Sequence, residues 1–343
     1  MNRSALSKIV ILLTFSLVLV SCSSDDDNPT PQETIELDLL EFSTEQPAKV
    51  KLFFKAKYVN GIPIAGLEAE NFTISENDVE ISQSESLAQI QRDTGEFLFS
   101  SVLLLDLSGS VLNEDTLPVL KASSISFIES VIPTSDDPYA GSYEMAIYWF
   151  DGEEYIHELI PFSTSRQGLI QAINSINQNI SNDNSTNLNG AVVQGIDLAQ
   201  NRLEEISVDQ DISTASSLVI FTDGTDQAGR VSDSETIDAV QTSGQELTIF
   251  TIGLGSEINE TILSSFGKSG SEFVNSDSDL NQTFQIVANL VRDEANSFYI
   301  LEYCSPKRSG THTLSVKLDI DNAFGEFESE FSAQGFSGRC SIE

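Results

Sequence analysis

The sequence of 343 residues predicts an α/β domain with a mostly parallel sheet, inserted into a β-sandwich that both ends of the chain build together. Two observations predict this fold class. Between residues 98 and 297, apolar runs of strand length alternate with segments whose apolar residues recur at helical spacing. Before and after this region, short β-like runs alternate with turn residues. The chain therefore divides into a central α/β region and two β-rich flanks.

The α/β region begins with "EFLFSSVLLLD", a near-continuous apolar run that is typical of a strand buried on both faces. Two further buried strands are predicted at "SSLVIFTD" and "ELTIFTIGLG". Strands that alternate with helices favour a parallel sheet covered on both sides. The pair Asp151-Gly152 lies between two β-like runs and predicts a hairpin, which adds one antiparallel strand at the sheet edge. Helices are predicted at 117–132, 166–176, 188–206, 234–243, 259–267 and 278–297.

The two flanks, residues 36–97 and 298–343, are both too short to form a sandwich alone. A typical sandwich needs roughly 100 residues, and the flanks reach that size only when they are combined. We therefore expect one sandwich interrupted by the α/β region. Two separate small β appendages are the alternative.

The N-terminus reads as an export signal. Arg3 and Lys8 precede an apolar run at residues 9–20, which is short for a membrane span and is typical of a signal peptide over residues 1–21. The run ends in "LVSC", which resembles the bacterial lipobox, and the resemblance implies that Cys22 is lipidated. An ordinary signal peptide followed by a free cysteine is the alternative.

The segment 22–35 is polar, acidic and proline-containing, so it is predicted to be a flexible tether. Its acidic run resembles the surface-export signal of Bacteroidetes lipoproteins. We therefore expect a lipoprotein of the outer membrane that is anchored only by its lipid and exposed at the cell surface. A periplasm-facing orientation is the alternative.

Composition and cysteine count restrict the function further. The formal net charge of -36 repels phosphates, which argues against DNA or RNA binding. Apart from Cys22, the chain has only Cys304 and Cys340, and such a pair in an exported protein predicts one disulfide. Two buried free thiols are the alternative.

Oxygen-bearing side chains follow two of the buried strands. Asp106 and Asp223 end separate strands, and the carboxyl ends of parallel strands meet at one edge, where ligands bind. Two acids placed there repel each other unless they share a cation. Ser108 and Ser110 in the next loop, and Thr186 just before a helix, supply further oxygens. A hard cation prefers such donors. This set of five residues contains no His or Cys, which argues against zinc or copper.

This pattern, "DLSGS", then a threonine before a helix, then "FTDG", resembles the metal-ion-dependent adhesion site of the von Willebrand factor type A domain family. The resemblance covers roughly residues 98–297. It implies a Rossmann-like sheet with Mg²⁺ at its top, with Mn²⁺ and Ca²⁺ as alternatives, and capture of a partner whose acidic residue completes the metal shell. The serines and the threonine are expected to bind the metal directly, and the aspartates directly or through water. The implied metal residues are Asp106, Ser108, Ser110, Thr186 and Asp223.

Other residues are weaker candidates. Integrin β subunits, which belong to this family, carry a second cation site on acids after the serines, but the corresponding positions here are Asn113 and Glu114. An acid-rich helix N-terminus is the other interpretation of that stretch. His157 and His312 lack a nearby nucleophile motif, so both are interpreted as surface or structural residues. Trp149 is expected in the core of the hairpin.

A site of this kind suggests three functions. The leading hypothesis is a non-enzymatic binding protein that holds a protein or glycan partner, presenting a carboxylate, through Mg²⁺. The alternative is an envelope assembly or scaffold protein in which the metal mainly stabilises the fold. Hydrolysis by metal-bound water is disfavoured, because no base lies nearby in sequence and Mg²⁺ lowers the pKa of water much less than Zn²⁺ does. Asp226, three residues after Asp223, is interpreted as an exposed loop acid.

Overall fold

A computed structural model describes residues 33–91, 96–137, 139–210, 212–320 and 323–342. The predicted signal peptide, the lipidation site Cys22 and nearly all of the acidic tether lie outside the described residues. Among the helices of the described part, none is both long and apolar enough to pass through a bilayer.

The first flank is built almost entirely of strands. Its third and fourth strands are joined by Asn77 and Asp78, whose φ angles of 51° and 62° give the two-residue turn that suits a tight hairpin. The elements of this flank are β1 (Glu33–Glu45), β2 (Lys49–Tyr58), β3 (Phe72–Glu76), β4 (Val79–Glu80), the short helix α1 (Gln83–Ser86) and β5 (Gln89–Gln91).

The central region alternates strands and helices. In chain order the elements are β6 (Phe97–Asp106), α2 (Thr116–Val131), β7 (Tyr143–Phe150), β8 (His157–Ser163), α3 (Arg166–Ser175), α4 (Leu188–Gln210), β9 (Ser213–Thr222), α5 (Asp233–Thr242), β10 (Leu247–Leu254), α6 (Glu260–Phe266), β11 (Gly270–Val274) and α7 (Asp277–Ala295). The strands form a six-stranded sheet in the order β11-β10-β9-β6-β7-β8. All neighbours are parallel except β7 and β8, so the predicted α/β fold with one antiparallel edge strand is confirmed.

The apolar run of β6 is explained by burial on both faces. Leu103 and Leu105 belong to the core that α2, α3 and α7 cover, whereas Val102 and Leu104 belong to the core that α4, α5 and α6 cover. Successive side chains of a strand point to opposite faces, so a strand between two helical layers must be apolar at every position. The run therefore ends where the strand reaches the rim of the sheet.

The second flank contributes β12 (Phe298–Cys304), β13 (Thr311–Ile320) and β14 (Ala323–Ser332). With the first flank these strands form one sheet in the order β4-β3-β13-β14-β1-β2-β12-β5. Phe54 of β2 and Phe72 of β3 are separated by three strands in that order, yet their ring centroids are 5.5 Å apart. The sheet therefore folds over one shared core, as the sandwich prediction required. The predicted disulfide between Cys304 and Cys340 is also present.

The junction between the two sheets lies at the amino end of β6. The rings of Phe53, Phe97 and Phe298 pack there with centroids 5.8 to 6.2 Å apart. Lys55 of β2 pairs with Glu294 of α7 at 2.5 Å, and both side chains are buried. Because β6 has ten residues, its carboxyl end lies roughly 30 Å from this junction. The edge that carries the predicted metal residues is therefore remote from the flanking sheet.

Candidate metal centre

The register of the central sheet brings the ends of β6 and β9 together. Leu105 pairs with Phe221, so Asp106 lies opposite Thr222 and Asp223 follows one residue beyond. Ser108 and Ser110 occupy the loop between β6 and α2, and Thr186 precedes the first residue of α4 by two positions. All five predicted metal residues therefore lie at the carboxyl edge of the sheet.

Hydrogen bonds link four of these residues into one chain. The Ser108 amide donates to Oδ1 of Asp106 at 2.9 Å, and the hydroxyls of Ser108 and Ser110 lie 3.3 Å apart. The Ser110 hydroxyl donates to Oδ1 of Asp223 at 2.8 Å. Thr222 holds the other Asp106 oxygen by donating its hydroxyl at 2.6 Å. The oxygens therefore converge on one place.

Thr186 reaches the same edge through its backbone. Its carbonyl accepts hydrogen bonds from the amides of Gln227 and Ala228 at 2.8 and 3.1 Å, which fixes it beside the loop after β9. A Cβ atom at Gly224 would lie 3.8 Å from the Thr186 hydroxyl oxygen. Thr186 is therefore a neighbour of the residue that follows Asp223.

Gly109 is required for close approach. Its φ angle is not positive, so an unusual backbone conformation is not the reason for a glycine here. A Cβ at Gly109 would lie 2.8 Å from the Cβ of Asn184, and the Gly109 amide donates to the Asn184 carbonyl at 3.2 Å. The glycine thus allows the serine loop to contact the loop that carries Thr186.

The electrostatics of the two acids indicate a missing positive charge. Asp106 is fully buried, and this burial raises the pKa of its carboxyl to about 7, against the hydrogen bond from Thr222 and with a contribution from Asp223. Burial also raises the pKa of Asp223, and Glu257 and Asp277 add to the increase. Within the described ranges, neither acid forms an ion pair with Lys, Arg or His. Such a pair of acids is stabilised when a cation lies between them.

The donor set fits a hard divalent cation. Two carboxylates and three hydroxyls offer only oxygen, which is the chemistry that Mg²⁺, Mn²⁺ and Ca²⁺ share. Asp106, Ser108 and Thr186 are buried, whereas Ser110 is exposed. The position between these oxygens, here called the cation seat, therefore opens to solvent on the Ser110 side. A cation held by these oxygens would be accessible to an outside ligand by that route.

Two neighbouring residues have local structural roles. Oδ1 of Asn113 accepts the amides of Asp115 and Thr116 at 2.8 Å each, so this side chain caps the start of α2. Asp226, which we interpreted as an exposed loop acid, is half-buried, because it accepts the amides of Asn189 and Gly229 at 3.1 and 2.8 Å. It thereby fixes the loop after β9 to the start of α4.

Sequence reasoning missed two features of this edge. Thr222 orients Asp106, and its position opposite that acid follows only from the register of β6 and β9. His157 was interpreted as a surface or structural residue, yet its ring stacks on Trp149 with centroids 4.1 Å apart and faces two acids. A histidine with carboxylates four and six residues before it was the available signal.

A family model of the von Willebrand factor type A domain matches residues 102–289. The match covers more than half of the 343 residues. It begins within β6 and ends within α7, so it contains all five residues of the oxygen cluster. No curated protein matches the chain.

Solved structures with a similar fold have low sequence identity. The von Willebrand factor type A protein from Catenulispora acidiphila is 10% identical over 89% of this chain and 74% of that chain, with a TM-score of 0.47. The vWF domain of the type V pili tip protein Mfa5 from Porphyromonas gingivalis is 12% identical over 57% and 96%, with a TM-score of 0.43. Proximal thread matrix protein 1 from the mussel byssus, with a zinc occupied MIDAS motif, is 15% identical over 59% and 49%, with a TM-score of 0.44. This chain thus spans about half the length of the mussel chain.

Proposed function

Because this chain belongs to the von Willebrand factor type A domain family, we propose that it binds a protein or glycan partner through a divalent cation at the carboxyl edge of its central sheet. In this proposal the protein is an outer-membrane lipoprotein, anchored through Cys22 and exposed at the cell surface. The partner presents a carboxylate, and no bond is broken.

One observation supports the proposal above all. Hydrogen bonds from the Ser108 amide and the serine hydroxyls connect Asp106, Ser108, Ser110 and Asp223, and the two acids lack a cationic partner within the described residues. An edge built only for stability would pair such acids with Lys or Arg. The arrangement instead suits a cation that arrives from solution.

The cation we propose is Mg²⁺, held by Asp106, Ser108, Ser110, Thr186 and Asp223. When bound, it supplies a Lewis-acidic position for a carboxylate of the partner. Thr222 and the Ser108 amide hold Asp106 in place, and the exposed Ser110 leaves one side of the cation seat open. Thr222 and the Ser108 amide therefore orient the site, and the partner would approach from the Ser110 side.

The test is retention of partners from envelope extracts by the immobilised full chain. We expect a set of envelope proteins or glycans to be retained in Mg²⁺ and released by EDTA. Asp223→Ala should abolish this retention, because it removes one of the two charges that hold the cation. Isothermal titration with Mg²⁺ on the same variant should show loss of the binding signal.

Asp319→Ala is the matched control. Asp319 is an exposed residue of β13 in the flanking sheet, so the same substitution should leave both retention and Mg²⁺ binding unchanged. Retention that survives both EDTA and Asp223→Ala would refute a metal-dependent binding function.

A further inference from the structure

The geometry points to a second metal site, formed by Asp151, Glu153 and His157, that takes Zn²⁺ or a similar borderline divalent ion. One ligand atom from each residue lies within 4.8 Å of the other two. The oxygen cluster described above uses none of these residues. The proposal is therefore independent of the binding function.

The hairpin of β7 and β8 brings the three residues together. Asp151 follows the last residue of β7, and His157 is the first residue of β8, where it pairs with Trp149. The His157 ring is held by stacking on Trp149, with an interplanar angle of 18°. Glu153 lies in the connecting loop, and its amide donates to Oδ1 of Asp151 at 2.8 Å. The loop thus directs three potential ligands toward one point.

One of the measured separations equals an edge of a coordination tetrahedron, and the other is slightly longer. Nε2 of His157 lies 3.8 Å from Oδ1 of Asp151 and 3.4 Å from Oε2 of Glu153. A tetrahedral zinc ion with bonds of about 2.0–2.2 Å separates its ligand atoms by roughly 3.3–3.6 Å. Nε2 of His157 is buried and has no hydrogen-bond partner. Buried nitrogens without a hydrogen-bond partner are rare in proteins, and a metal ion between His157 and the two carboxylates would satisfy this one.

The charge of Asp151 leads to the same conclusion. Its side chain is fully buried, and Oδ2 accepts the Ser181 hydroxyl at 2.6 Å. Among the described residues, no Lys or Arg forms an ion pair with it, and the nearest nitrogen that could carry charge belongs to His157. A buried carboxylate whose countercharge depends on one histidine is weakly compensated, so a divalent ion at this position would stabilise the loop.

The loop is fixed before any ion arrives. The Asn187 amide donates to the Asp151 carbonyl at 2.8 Å, and Arg230 donates to the Gly152 carbonyl at 3.0 Å. Glu153 has 45% of its side chain exposed, which leaves an access route and a position for water. One imidazole and two carboxylates form a donor set that zinc accepts and that Mg²⁺ does not select. The two metal sites therefore differ in the ion that they prefer.

The test is zinc titration of the full chain, stripped of metal and then kept in excess Mg²⁺ so that the oxygen cluster stays saturated. We expect one equivalent of Zn²⁺ to bind to the unmodified chain and none to His157→Gln. The other histidine of the chain supplies the control: His312→Gln should keep the equivalent. Asp223→Ala should keep it too, since that variant damages only the oxygen cluster.

Two further measurements guard against a folding defect in His157→Gln. Glu153→Gln changes an exposed side chain and should weaken zinc binding by at least about tenfold, the lower range for loss of a metal-site interaction. Co²⁺ in place of Zn²⁺ should give the visible absorption of a low-coordinate site in the unmodified chain and not in Glu153→Gln. No zinc bound by the unmodified chain, or equal affinity in Glu153→Gln, overturns the proposal and leaves the cluster as an ion pair of His157.

Discussion

The two ends of the central strands differ in whether their buried acids form ion pairs. At the amino end, Glu144 of β7 meets Arg202 through two hydrogen bonds of 2.7 and 2.9 Å and accepts the Ser100 hydroxyl at 2.7 Å. At the carboxyl end, Asp106 and Asp223 have hydroxyl and amide donors but no ion pair within the described part of the chain. The protein itself supplies the countercharge at the amino end, whereas the proposed function assigns that role at the carboxyl end to a bound cation.

Helix α4 takes part in both ends. Arg202 lies in its second half, whereas Thr186 immediately precedes its first turn. The same helix therefore supplies the countercharge at one end, and at the other end it follows the loop that carries Thr186. Under the proposed function, the amino end serves stability and the carboxyl end serves binding. The predictions below test that division, from the largest expected effect to the smallest.

Removal of Arg202 should have the largest effect. Arg202→Met leaves Glu144 buried without its partner, and breaking a buried pair destabilises a protein by about 3–5 kcal/mol. Urea unfolding followed by circular dichroism should show this loss equally with Mg²⁺ and with EDTA. A loss that appears only in EDTA would mean that the two ends are coupled.

Glu205→Gln is the control for that variant. Glu205 also pairs with Arg202, but 57% of its side chain is exposed, so its removal should lower the free energy of unfolding by less than about 1 kcal/mol. A decrease as large as that of Arg202→Met would show that the exposed arm of the pair, and not Glu144, carries the stability.

Magnesium should stabilise the fold by an intermediate amount. At a concentration of a hundred times its Kd, a ligand that binds only the folded state raises the free energy of unfolding by about 2.7 kcal/mol. We expect that increment in thermal or urea unfolding of the unmodified chain and of Arg202→Met, because the two sites lie at opposite ends of the strands. Asp223→Ala should lose it, and an undiminished increment in Asp223→Ala would contradict the assigned site.

The smallest effect should be the change in the free energy of unfolding of the metal-free protein for each pH unit. The folded pKa of Asp106, about 7, lies above the ordinary value, so the folded state binds a proton that the unfolded chain still lacks. Between pH 8 and pH 5, this group should therefore make the protein more stable as the pH falls, by up to about 1.4 kcal/mol per unit below the folded pKa.

Asp106→Asn isolates this contribution, since asparagine does not titrate in that range. Urea midpoints measured in EDTA across the pH range should rise less steeply toward acid in the variant than in the unmodified chain. Identical pH profiles for the two proteins would show that burial does not hold the Asp106 carboxyl in its protonated form.

Much of the fold followed from local patterns. The run "VLLLD" could only be a strand covered on both faces, and Asp106 and Asp223 had to share an edge because parallel strands end together. The union of the flanks followed from their lengths, since neither could enclose a core alone. These inferences succeeded because they depend on periodicity and on chain length, which the sequence contains directly.

The hairpin beside the metal edge was predicted less well. Asp151-Gly152 predicted a tight turn, but β8 begins only at His157, after a connection that spans residues 151–156. The carbonyls of Glu153 and Glu154 accept hydrogen bonds from the side chains of Asn187 and Gln194 at 2.9 Å each, instead of joining the strand ladder. Such tertiary bonds override a local turn signal, and they also place His157 beside Asp151, which no local pattern could indicate.

The pairing of β5 with β12 has a consequence for how this protein can be rearranged. These are the strands at which the chain leaves the flanking sheet and returns to it, and Gln91 lies directly opposite Ile300. A short turn could therefore join them, and the flanking sheet would keep all its neighbours without the intervening residues. The rings of Phe53 and Phe298, which now pack against Phe97, and the ammonium of Lys55, which now pairs with Glu294, would lose partners from the α/β region. The α/β region is thus attached to the flanking sheet through two adjacent strands, and a shortened chain would need polar residues in place of these buried contacts.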